Sequence, residues 1–74
     1  MNNRFMLELS DRFAKRLEKD YPNNDTRVEA AFQMTLSRAP LKQEREAMTR
    51  FIEAHGLPSF SRLMFNLNEF VYIN

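Results

Sequence analysis

Apolar side chains return every three or four positions along most of this chain, and the places where that rhythm fails divide it into four segments. The first runs from about Asn3 to Asp20. There Phe5, Leu9, Phe13 and Leu17 repeat every four residues with Met6 beside them, which predicts one apolar stripe on a helix. Glu8, Asp11, Lys15, Glu18 and Lys19 fill the opposite face. Tyr21-Pro22-Asn23-Asn24 ends the segment, because a proline disfavours helical geometry in the residue before it. A second helix is expected to begin near Asp25-Thr26, where Thr26 and Glu29 have the spacing of a capping box. Val28, Phe32, Thr35 and Leu36 share a face with Ala31 between them, and Ser37-Arg38-Ala39-Pro40 makes the next break.

A third helix follows from roughly Leu41 to His55, with Leu41, Met48, Phe51 and Ile52 as its buried positions. Its stop is the sharpest local signal in the chain. Gly56 stands where a left-handed residue is wanted, Leu57 can fold back on Ile52 as in a Schellman motif, and Pro58 blocks continuation. The fourth segment, Pro58 to about Leu67, sets Phe60, Leu63, Met64 and Leu67 at helical spacing. Residues Asn68 to Asn74 read as a short tail packed on the helices as turn or coil, since no strand elsewhere is there to pair with it. The fold class is therefore all-α: one domain over residues 1–74, a compact bundle of about four short helices with that tail packed on it.

Length makes such a core marginal, because a chain this short buries only about 60% of the surface its unfolded form exposes. Domains of this size usually lean on disulfides, a structural metal or a partner. With no cysteine, disulfides, iron–sulfur clusters, cysteine-type zinc sites and covalent haem attachment are excluded together. Seven Phe and five Met supply the packing instead, the methionines as fillers of irregular core gaps. Eleven basic against ten acidic residues leave a net charge of +1, which argues against the basic footprint of a nucleic-acid binder. No apolar run is long enough for membrane insertion. The segment opening Met1-Asn2-Asn3-Arg4-Phe5 carries no signal-peptide pattern.

Candidate chemistry is sparse. His55 lacks a second histidine, a cysteine or a carboxylate at ligand spacing, and its simple role is a cation near a helix C-terminus. Glu44 and Glu46, or Asp20 and Asp25, form no pocket-lining carboxylate pair, and one glycine cannot make a phosphate loop. Ser10, Ser37, Ser59 and Ser61 lie in no nucleophile elbow. The turn from Arg38 to Arg45 has the outline of a helix-turn-helix, yet Glu44 and Glu46 would repel phosphates from its second helix.

Several stretches together resemble a known family. They are Arg27 to Phe32, then Leu36-Ser37-Arg38-Ala39-Pro40 with Glu44, then Phe51-Ile52 and His55-Gly56-Leu57, and finally Leu63 to Tyr72. The opening Asn2-Asn3-Arg4-Phe5 and Phe13 to Leu17 also fit, with Arg4 where the family usually has proline. The chain is similar to the end of the planctomycete-specific domain of unknown function that closes large secreted proteins bearing cytochrome c-like modules. The resemblance implies an exported parent, periplasmic or at the cell surface, of which this chain is the carboxy-terminal part. Its haem would lie far upstream. Family members often carry Thr or Ser where Leu41 stands, so Glu44 here keeps only the returning half of a capping box.

The structural or interaction candidates are thus Arg38, Pro40, Glu44, Gly56, Asn68, Glu69, Phe70 and Tyr72. Arg38 and Glu69 are expected to make a charge-assisted contact, with Asn68 satisfying nearby backbone groups and Phe70 and Tyr72 anchoring the tail. No catalytic residue, cofactor or metal is assigned. The function expected is a non-catalytic helical structural or interaction module whose partner is the upstream part of its parent or another protein. The alternative is the wall of a ligand or substrate site in a larger enzyme or redox assembly; a small nucleic-acid-binding domain ranks last.

Overall fold

A computed structural model describes the backbone of residues 4–73 and the side chains of residues 4–68. Four helices follow in order: α1 Arg4–Asp20, α2 Asn24–Leu36, α3 Lys42–His55 and α4 Leu57–Ile73. The chain is all-α. Helix α4 touches each of the other three and packs most extensively on α1, whereas α1 and α3 do not meet. The core lies around Phe60 and Met64 of α4, with Ala14 and Leu17 from α1, Val28, Ala31 and Phe32 from α2, and Ile52 from α3.

Side-chain contacts fix the directions. Glu18, near the end of α1, lines one groove with Leu57 and Pro58 at the start of α4, while Asp11 lies 3.7 Å from Arg62 further along, so α1 and α4 run antiparallel. Arg45 meets Glu29 at 2.8 Å, and the Thr49 hydroxyl donates to Asp25 Oδ1 at 3.1 Å, so α2 and α3 form an antiparallel hairpin.

The stripe spaced by fours is buried only in part: Leu17 is in the core and Phe13 packs against it, but Ser10 and Ala14 share the buried face and Phe5 does not. Ser10, Ala14 and Leu17 are buried, while Phe5 is 65% exposed. A four-residue step turns about 400°, so each repeat drifts about 40° around the helix and Phe5 ends about 120° from Leu17. Spacing of three and four alternately stays on one side, and that rule selects Leu17, Ala14 and Ser10. Small side chains at Ser10, Ala14 and Ser61 give little bulk to separate the helices that carry them.

Three helix ends differ from the sequence expectation. Asn23, not the Asp25-Thr26 pair, caps α2: its Oδ1 accepts from the Thr26 amide at 2.9 Å. Asparagine is the stronger N-cap, and Glu29 is left to pair with Arg45. Gly56 has positive φ but extended ψ (+90°, +165°), so no left-handed cap forms and α4 starts at the next residue. Pro58 lies inside the first turn of α4, where its missing amide hydrogen costs no bond. At the far end, residues 68–73 continue α4 where turn or coil was expected. No glycine or proline follows Pro58, so nothing stops the helix there.

Ser61 is fully buried and its hydroxyl has no partner among the described residues. A buried hydroxyl without a hydrogen bond is destabilising. Ser61→Ala is therefore expected to raise the midpoint of chemical denaturation, by about 0.5–2 kcal/mol of unfolding free energy. Ser10→Ala is the comparison, because the Ser10 hydroxyl already donates to the Leu7 carbonyl at 3.0 Å.

Candidate interaction end

The turn between α2 and α3 holds the densest polar network. Ser37 takes a left-handed conformation (φ +57°, ψ +33°) and its amide donates to Gln33 O, closing α2. That reversal brings Arg38 back over Phe32, with the guanidinium carbon 5.4 Å from the ring centre. Both terminal nitrogens of Arg38 then donate to Glu44, at 2.8 and 2.9 Å, and Nη1 also donates to Ala39 O at 3.2 Å. The Glu44 carboxylate accepts a third bond from the Leu41 amide at 2.8 Å. This is the returning half of the capping box; Leu41 has no hydroxyl to complete it. Pro40 sits half-buried within the clasp.

Both terminal nitrogens of Arg38 are engaged by Glu44, and the expected Arg38–Glu69 contact falls on a side chain outside the described residues. The side chains of Glu69, Phe70 and Tyr72 lie outside the described residues. Asn68 does reach another helix: its side-chain amide donates to Thr35 O, tying α4 to the last turn of α2.

Arg38, and the Leu41 amide after it, hold the Glu44 carboxyl well below its ordinary 4.5, at about 2. Its folded pKa is depressed, so the clasp contributes stability fully above pH 4.5 and loses it as pH falls towards 2. Both partners are accessible to water, so screening keeps the contribution small. Glu44→Gln is expected to lower Tm at pH 7 by about 2–5 °C, with the difference vanishing near pH 2. Thermal melts of both proteins across that range check it.

The opposite end of the bundle is closed by Arg27, which the sequence did not single out. Its guanidinium donates to Tyr21 O at 3.1 Å, Asn24 Oδ1 at 3.0 Å and Glu18 O at 3.4 Å, binding α2 to the end of α1. No spacing rule marks an arginine that folds back across a turn.

The two ends differ in their apolar surface. Among the described residues the large exposed apolar side chains are Phe5, Leu7, Met34, Leu41 and Leu67. All five belong to the end where α1 starts, α2 turns into α3 and α4 runs past Asn68. Leu41 was expected in the core; as the cap residue of α3 it precedes the helix and stays 63% exposed. Two ion pairs lie at this end, Arg38 with Glu44 and Arg4 with Glu8 at 3.7 Å.

Elsewhere, a shallow groove of about 330 Å³ lies between α1 and the start of α4, lined by Ala14, Lys15, Glu18, Leu57 and Pro58 among others. A second, of about 450 Å³, runs along the outer side of α2 past Tyr21, Ala30, Met34 and Ala39. His55 lies against Phe51 with ring centres 4.8 Å apart and the rings tilted by 48°. Among the described residues no three His, Cys, Asp or Glu side chains are grouped to hold a metal ion, and no helix is long and apolar enough to cross a membrane. Compared with protein families, with curated proteins and with solved structures, the chain matches none.

Proposed function

We propose that this chain is a non-catalytic helical module that closes a larger exported polypeptide and holds it through the apolar end of the bundle. The observation that carries this reading is the gathering of Phe5, Leu7, Met34, Leu41 and Leu67 at one end, while the other is tied off by Arg27. Exposed apolar side chains at one end are the part of the surface whose covering by a partner would remove most apolar area from water. The parent polypeptide, its export and its cytochrome c-like modules rest on the family resemblance of Arg38-Ala39-Pro40, Glu44 and Asn68 to Tyr72.

An antibody raised against the 74-residue chain tests this in fractionated cells. The expected band is far larger than 8.9 kDa and lies in the exported fraction. An 8.9 kDa band confined to the cytoplasm would contradict it.

A second reading, the wall of a ligand site in a larger assembly, draws on the groove along α2, whose volume falls in the range of small-molecule pockets. A ligand there would shift the NMR signals of Tyr21 and Ala30 and leave those of Leu7 and Leu41 in place.

A further inference from the structure

The four helices are not held equally. Helix α1 buries Ser10, Ala14 and Leu17, α2 buries Val28, Ala31 and Phe32, and α4 buries Leu57, Phe60, Ser61 and Met64. Helix α3 buries Ile52 alone, with Met48 and Phe51 only partly covered. It does not touch α1. Its polar ties to the rest are Arg45–Glu29 and Thr49–Asp25, both at the surface, where such contacts add little. Both of its joints are short and conformationally special: the five-residue turn from the left-handed Ser37 to Leu41, and the single residue Gly56 at φ +90°.

From this distribution we infer that α3 is a detachable element, which comes away between the Ser37–Leu41 turn and Gly56 and, as a helix of only 14 residues, unravels once unsupported, while α1, α2 and α4 stay packed. Local openings of this kind involve the element with the fewest buried apolar contacts and leave the rest of the core intact. Helices α2 and α4 are the two that α3 covers, so opening bares the apolar flank under Ile52, Met48 and Phe51. The Arg38–Glu44 clasp stays with the turn and limits the motion at that joint, which leaves Gly56 as the freer one.

Native-state hydrogen exchange of the full 74-residue chain reads this directly. Amides in the middle of α3, Arg45 to Ile52, are expected to exchange at least about tenfold faster than those flanking Leu17, Phe32 and Phe60. They should respond weakly to low denaturant, as a small opening does. If the α3 amides exchange only at the rate of global unfolding, the proposal is wrong. A helix-breaking variant gives an independent answer. Thr49→Pro is expected to remove the helical signal of α3 alone, leaving the shifted methyl and ring resonances of Leu17 and Phe60 in place. Loss of those resonances together with α3 would overturn the inference.

Discussion

Phe60→Ala is expected to leave this chain at the edge of unfolding at room temperature. Phe60 is fully buried on the helix that touches all the others, so truncating it opens a cavity shared by α1, α2 and α3. Removing a buried phenylalanine side chain costs about 3–5 kcal/mol. A domain of this length has only about 4–11 kcal/mol in total. At about 4–8 °C per kcal/mol, Tm should fall by roughly 12–40 °C. Phe5→Ala is the paired control: Phe5 is two-thirds exposed, and its truncation should change stability by no more than about 0.5 kcal/mol. Thermal and denaturant melts of the two variants measure the contrast. Similar losses for both would mean that the buried stripe of α1 has been placed on the wrong face.

Gly56→Val is the second large effect. At φ +90° and ψ +165°, Gly56 sits in a region open to glycine and closed to β-branched L-residues. The space around it is not the obstacle. A Cβ there would meet Pro58 Cδ at an ordinary 3.7 Å, so the penalty is backbone strain. The residue serves both neighbours at once: its amide donates to Ile52 O at 2.7 Å, ending α3, and its carbonyl accepts from the Phe60 amide at 3.2 Å, starting α4. Neither bond survives a change of φ without moving a helix. Strain of about 1–3 kcal/mol is expected for Gly56→Ala, and the upper end of that range for valine. Chemical synthesis with D-alanine at position 56 isolates the cause, since a D-residue accepts positive φ. That protein should melt near the parent, while the L-alanine form melts well below it.

Gly56 also shows how much was legible in the sequence. A lone glycine between an apolar helical pattern and Leu57-Pro58 announced a break at the right residue, because helix stops are written locally. Its conformation was not written there. A Schellman cap needs residues beyond it to turn away, and here α4 begins at once. The helices themselves were readable from periodicity, including all four boundaries on α1 and α3 to within a residue. Leu17 and Phe13 of α1 were read as inward, but Ser10 and Ala14 were not, because Phe5 and Leu9 outweigh them on any hydrophobicity count. Small residues are buried there by helix–helix packing, and that is a property of two helices together.

The polar candidates divide in the same way. Glu44 was singled out, and its bond to the Leu41 amide follows from three-residue spacing. Its bidentate contact with Arg38 depends on the left-handed turn at Ser37, a conformation that serine does not advertise. Asn68 was marked as a residue for backbone groups, but its target, Thr35 O on another helix, is set by the α2–α4 packing.

The arrangement of helices around α4 underlies the apolar end, the detachable α3 and the stability effects alike. Inter-residue NOEs in the labelled chain test it most directly. The arrangement predicts contacts between the Phe13 and Phe65 rings and between α2 and α3 near Glu29 and Arg45, with none linking α1 to α3. NOEs from Leu17 or Phe13 to Met48 or Phe51, without the Phe13–Phe65 contact, would contradict it.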